Sequence, residues 1–189
     1  MITIVSGLPR SGTSMMMQML KAGGMPVLSD NLRKADDDNP RGYLELEKAK
    51  GIKRDASWLA EAEGKVFKMV AILLYHLPAD RQYKIIFMKR DLTEMLKSQS
   101  TMLRNLGKDG KGPSDAEMGI LFQEHLKKIT SWLANQKNME VLYCEYAAVI
   151  KDPHKEAQRV ADFLGAKLNV DKMADVVDPT LYREKENTQ

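Results

Sequence analysis

The chain begins with a short apolar run. Ile2-Thr-Ile-Val5 is β-branched throughout and leads through Ser6 into Gly7, which predicts a buried strand of a parallel sheet. Lys65–Val70, Tyr83–Arg90 and Met139–Tyr146 have the same character. Helical spacing fills the intervals. Thr13–Gly24 reads as a helix stopped by Gly23 and Gly24, glycine being the usual residue past a helix end. Its Met15-Met16-Met17 run reads as adaptable core packing. Asp91–Leu106 predicts a second helix, with Asp91 and Glu94 at the spacing of a capping box. From Asp115 to about Lys137, the residues Met118, Phe122, Leu126, Ile129 and Leu133 form one apolar face. Asp152-Pro153 heads a further helix, and Gly165 ends it.

Strands alternating with helices predict an α/β fold: P-loop-like, three-layer α/β/α, with a central, mainly parallel sheet and ligands at the carboxyl ends of its strands. No repeat, low-complexity tract or linker divides the chain, so residues 1–189 read as a single domain. One stretch breaks the rhythm. GMPVLSDNLRKADDDNPRGYLELE, residues 24–47, is polar and irregular. A connection of that length in a compact domain is usually functional.

Composition acts mainly by exclusion. With 43% hydrophobic and 29% charged residues, disorder is not the expectation. The formal charge of +3 suits an anionic ligand. No dense Lys/Arg stripe interleaved with aromatics points to nucleic acid. Cys144 is the single cysteine, so no internal disulfide or multi-cysteine metal site can form. MITIVSGLPR lacks the basic start of a secretion signal, and no apolar stretch reaches membrane-spanning length. The expectation is a soluble, cytoplasmic protein.

The candidate chemistry begins in Gly7-Leu-Pro9-Arg10-Ser11-Gly12-Thr13-Ser14. A glycine-rich turn between a strand and a helix points backbone N–H groups, and the positive end of the helix dipole, at one spot. Thr13 and Ser14 add hydroxyls, and Arg10 adds a permanent, forked cation. The lysine that reaches the β- and γ-phosphates in ATP- and GTP-using P-loops is absent, with Thr13 in its place. A ligand with one 5′-terminal phosphate carrying a less charged group fits such a loop better.

This loop resembles the 5′-phosphosulfate loop of sulfotransferases that use 3′-phosphoadenosine-5′-phosphosulfate (PAPS), in wording closest to the tyrosylprotein branch. A second motif supports the resemblance. The family's 3′-phosphate site is an arginine at a strand end and a serine eight residues later, and IIFMKRDLTEMLKSQS supplies Arg90 and Ser98. Ser98 lies seven residues past Asp91, close to two helical turns, which returns it to the same face. NPRGYLE at 39–45, Lys68 after the second strand, YAAVIKDP with Tyr146 as a candidate adenosine contact, and VDPTLYR near the end extend the likeness over nearly the whole chain.

The resemblance implies in-line transfer of a sulfuryl group from PAPS to an acceptor hydroxyl or amine, releasing 3′,5′-ADP. Pro9, Arg10, Ser11, Gly12, Thr13, Ser14, Arg90, Ser98 and Tyr146 would bind the donor. Arg10, Lys68 and Glu45 would be catalytic, with no metal. The histidine that cytosolic members place two residues after the lysine is absent, since that position is Val70. His76 reads as a helix or turn residue packed near the core. The tyrosylprotein branch uses a glutamate as base, and Glu45, with Glu47 behind it, is the best match. Asp36–Asp38 read as a solvated acidic run. The expected acceptor is a small molecule, a glycan or a peptide, bound by residues 25–65 and 106–114. Two alternatives stay open: a small-molecule kinase using Mg-ATP, and a non-catalytic nucleotide-binding relative.

Overall fold

The computed structural model describes residues 1–30, 32, 33, 35, 36, 39, 42–105, 107 and 113–181. Four strands form the centre: β1 (Ile2–Gly7), β2 (Val66–Val70), β3 (Tyr83–Lys89) and β4 (Met139–Glu145). All pair in parallel, in the order β2-β1-β3-β4. Among the described residues, seven helices surround them: α1 (Thr13–Ala22), α2 (Glu47–Lys50), α3 (Leu92–Asn105), α4 (Asp115–Leu133), α5 (Tyr146–Lys151), α6 (Pro153–Leu164) and α7 (Val170–Asp175). Tighter 3₁₀ turns occupy Ser57–Ala62, Ala71–His76 and Pro179–Leu181.

Alternation along each strand divides the core into two layers. Ile4, Phe67, Ile85 and Phe87 pack on one face with Ile129 and Leu133 of α4 and with Trp58 and Leu59. Val5, Ile86, Met88 and Cys144 pack on the other with Met16 and Met17 of α1 and with Val160 and Met173. The result is the expected three-layer α/β/α sandwich. Met16 and Met17 are completely buried, as core packing requires.

The helix ends have local causes. Ser114 and Glu117 cap the start of α4 reciprocally. That helix stops at Leu133 rather than near Lys137, because the side chains of Asn135 and Gln136 bond the Ser131 and Trp132 carbonyls and compete with further helical turns. Asp152 caps α6, and Gly165 ends it in the left-handed conformation at φ 64°. Residues 47–62, expected to be loop, instead hold α2 and the Ser57–Ala62 turn, with Ala49, Ile52, Trp58, Leu59 and Ala62 in the core. His76 ends a 3₁₀ turn but is exposed, not packed.

The strand order positions the site. From β1 the chain goes to β2 on one side, then crosses to β3 on the other, so the loops after β1 and β3 diverge. A crevice opens at that switch point. Beside it, the described residues of 26–47 form a strap: Leu28 N donates to Val66 O at the edge of β2 at 2.8 Å, and Asp30 N donates to Glu45 O at 3.1 Å. This strap covers an otherwise open sheet edge. Its Pro40 and Arg41 lie outside the described residues, as do Asp37, Asp38, Tyr182 and Arg183. Among the described residues no helix is long and apolar enough to cross a membrane.

Candidate active site

The loop from β1 to α1 is fixed from within. A Cβ on Gly7 would lie 2.4 Å from Ser11 Oγ and 2.6 Å from the Met88 carbonyl oxygen, so only glycine fits there. Ser11 is buried, and its hydroxyl donates to the Leu8 carbonyl at 2.7 Å. Ser11 thus braces the loop from beneath. Arg10 adopts the left-handed conformation at φ 65°, uncommon for a side-chain-bearing residue. Gly12 stands at the head of α1 with φ 95°, and the first turn of that helix holds no acidic residue. The positive helix end therefore faces the crevice uncompensated within its own first turn.

Two arginines meet above this loop. Arg10 donates through Nε to Ser98 Oγ at 3.0 Å. Arg90, just past β3, donates through Nε to the Glu94 carboxylate at 3.0 Å and through Nη1 to the Arg10 carbonyl at 3.4 Å. Its guanidinium lies 4.5 Å above the Tyr146 ring. Tyr146 opens α5 directly after β4, and burial pushes its hydroxyl pKa up. The two motifs read from the sequence are therefore one site. The capping-box spacing is only part of the story at Glu94: its N–H donates to Asp91 Oδ1 at 3.1 Å, whereas its carboxylate turns to Arg90.

The third cation is Lys68, which projects from the middle of β2. Its Nζ donates to Ser14 Oγ at 3.2 Å and to the Tyr43 carbonyl at 2.6 Å, and stands 3.5 Å from Glu45 Oε1. Burial pulls its pKa down to about 8, with Glu45 acting in the opposite direction. Glu45 also accepts from Arg33 Nη1 at 3.2 Å. Arg33 lies 3.4 Å over the Tyr43 ring, and the Tyr43 hydroxyl donates to the Asp36 carboxylate, 2.8 and 2.9 Å from its two oxygens. Burial, then Asp36, pushes that hydroxyl's pKa up to about 12. A chain of polar contacts thus runs from the strap to α1.

A cavity of about 470 Å³ is lined by Pro9, Arg10, Gly12, Thr13, Ser14, Glu45, Lys68, Arg90, Ser98 and Tyr146, with Glu94 and Asp36 behind its wall. Ser11 lies below the loop, outside the wall. Val70, at the position lacking the histidine, lines the cavity and is 44% exposed. Sequence reasoning missed Arg33 and the side-chain role of Glu94. The only signals were an arginine in the long strap and a glutamate four residues after Arg90.

Residues 2–188 match the sulfotransferase domain family. The chain belongs to that family. Its sulfotransferase fold is shared with solved structures at low sequence identity. The sulfotransferase domain from the curacin biosynthetic pathway superposes with a TM-score of 0.56 at 13% identity, over 100% of this chain and 91% of that one. A sulfotransferase from Alicyclobacillus acidocaldarius gives 0.53 at 15% identity, over 95% and 87%. Retinol dehydratase, solved with androsterone and the inactive cofactor PAP, gives 0.52 at 19% identity, over 93% of this sulfotransferase and 62% of that chain. No curated protein sequence matches.

Proposed function

We propose that this sulfotransferase, acting as one domain, transfers a sulfuryl group from PAPS to an acceptor hydroxyl or amine. The observation that carries this reading is the convergence of Arg10, Arg90, Ser98 and Lys68 on one cavity at the amino end of α1. Three cations, several hydroxyls and a helix end suit a nucleotide phosphorylated at both 5′ and 3′ positions. The PAP held by retinol dehydratase supports the same donor class.

Each residue then has a task. Gly12, Thr13 and Ser14 present backbone and hydroxyl donors to the 5′-phosphate, and Pro9 and Ser11 hold the loop in shape. Arg90 and Ser98 take the 3′-phosphate, and Tyr146 contacts the adenosine. The S–O bond to the 5′-phosphate breaks as the acceptor forms a new bond to sulfur, and 3′,5′-ADP leaves with the electron pair. Arg10 and Lys68 stabilise the charge that develops on the departing phosphate; preorganised donors of this kind count for roughly 3–4 kcal/mol each. Glu45 takes the acceptor's proton. No step calls for a metal. The acceptor is a small molecule, glycan or peptide that reaches Glu45 past the strap, and the single, buried Cys144 fits a reducing, cytoplasmic setting.

Thermal unfolding tests the reading. A ligand at a hundred times its Kd stabilises by about 2.7 kcal/mol. The expected result is an upward shift with 3′,5′-ADP without metal, abolished by Arg90→Ala. A shift only with ADP and Mg²⁺ overturns it in favour of a kinase. Binding without turnover across hydroxyl and amine acceptors makes the chain a non-catalytic relative.

A further inference from the structure

We infer that Glu94 is a positioning residue, which through Arg90 sets the preference of the donor site for a 3′-phosphate. This rests on the reading of Arg90 as the 3′-phosphate ligand.

The Glu94 side chain is only 7% exposed and sits behind Arg90, which lines a cavity rich in cations. A buried carboxylate there opposes phosphate binding by charge alone, and burying it is costly unless it is well paired. The geometry shows how it is used. Glu94 Oε2 holds Arg90 Nε at 3.0 Å, the inner edge of the guanidinium. The Tyr146 ring lies 4.5 Å below the same group and fixes its face. The Arg10 carbonyl accepts from Nη1 at 3.4 Å. An edge, a face and one amino group are thereby held, and the planar fork is oriented before any ligand arrives.

Helix α3 repeats the device one turn later. Ser98 takes the Nε of Arg10 at 3.0 Å, and Glu94 and Ser98, four residues apart, share a helix face. The helix start does not depend on the Glu94 side chain, because it is the Glu94 backbone N–H that Asp91 accepts from. The carboxylate itself is turned to the Nε of Arg90.

Positioning and simple charge make opposite predictions. If only net charge mattered, removing a carboxylate would strengthen phosphate binding. Positioning predicts weakening, confined to ligands that carry the 3′-phosphate. Calorimetric titration of wild type, Glu94→Ala, Glu94→Gln and Arg90→Ala with 3′,5′-ADP and with 5′-AMP separates them. For Glu94→Ala the selectivity ratio, the Kd of 5′-AMP divided by the Kd of 3′,5′-ADP, falls about tenfold or more, the scale of a lost charge-assisted hydrogen bond. Glu94→Gln, which keeps an acceptor oxygen, recovers part of it. In an Arg90→Ala background Glu94→Ala lowers the ratio no further.

An unchanged or increased ratio in Glu94→Ala overturns the inference, as does parallel weakening of both ligands, which marks a merely structural role. If wild type shows no preference for 3′,5′-ADP over 5′-AMP, the donor reading itself fails. Should Glu94→Ala not fold, Glu94→Asp decides in its place, since it keeps the charge but draws the carboxylate back from Nε.

Discussion

Arg10 Nε and Ser98 Oγ stand 3.0 Å apart, although 88 positions separate them in the chain. A serine hydroxyl has one donor hydrogen and two acceptor lone pairs. Ser98 can therefore accept from Arg10 and still donate to a phosphate oxygen, linking the β1–α1 loop to α3 through one atom. Arg10→Ala is expected to lower kcat/KM by about 10²–10³-fold, the cost of losing one preorganised donor. Arg10→Lys should recover only part of this, because an ammonium keeps the charge but loses the forked geometry that spans Ser98 and the cavity. Steady-state kinetics of the two variants measure both effects; equal activity of Arg10→Lys and wild type contradicts the fork argument.

Lys68 gives the reaction a pH limit. Burial brings its pKa down to about 8, and the charged form is the one that stabilises the leaving phosphate. Activity should fall as pH rises through about 8, and Lys68→Arg, which stays charged, should lose that limb. Stability runs the other way. The folded lysine, its pKa pulled down to about 8, releases its proton before the unfolded one, whose ordinary value is 10.5, so between these values the unfolded state binds more protons and stability rises with pH. Rate profiles and melting curves over pH 7–10 check the pair of signs. A loss of activity that tracks a loss of stability would contradict the assignment to Lys68.

The strands and the phosphate loop were legible because their cause is local. Ile2, Ile4, Ile85 and Ile86 are completely buried, and a β-branched run ending in glycine states as much without any partner. Glu94 was legible only in part. Its spacing from Asp91 suits a cap and its spacing from Arg90 suits an ion pair, and only the fold shows that the N–H serves one and the carboxylate the other. The Arg33–Glu45–Lys68 contacts were not legible at all, since the strap folds back with no periodicity to register it. The short α2 and the Ser57–Ala62 turn were hidden for another reason. Their apolar residues Ala49, Ile52, Trp58 and Leu59 are interrupted by Gly51 and by charged side chains, too few per turn to announce a helix.

Gly12 couples loop shape to the Arg90 platform. A Cβ there would lie 2.4 Å from Tyr146 Cδ2 at a backbone φ of 95°. Gly12→Ala should therefore move the ring from beneath Arg90 and cost about 1–3 kcal/mol in backbone strain alone. Gly64→Ala is the control, with φ 69° but nothing within 4 Å of the new Cβ. Melting temperatures should fall in both variants, and 3′,5′-ADP affinity in Gly12→Ala alone. An unchanged affinity in Gly12→Ala would show that the Tyr146 platform is dispensable.

Glu45 and His76 offer opposed candidates for proton removal. Glu45 lines the cavity 3.5 Å from Lys68 and 3.2 Å from Arg33, whereas His76 is exposed at the end of its 3₁₀ turn and no part of the cavity wall. Glu45→Gln keeps the shape and removes the base. It is expected to lower kcat by about 10²–10⁴-fold, the range for general base catalysis. Arg10, Arg90 and Ser98 make no contact with Glu45 and Lys68 keeps its bonds to Ser14 and the Tyr43 carbonyl, so 3′,5′-ADP affinity should hold within a few-fold, and His76→Ala should retain full activity. Comparing kcat with nucleotide affinity in the two variants tests this directly. A Glu45→Gln enzyme with wild-type kcat would remove the carboxylate from the mechanism and return the proton to the acceptor or to water.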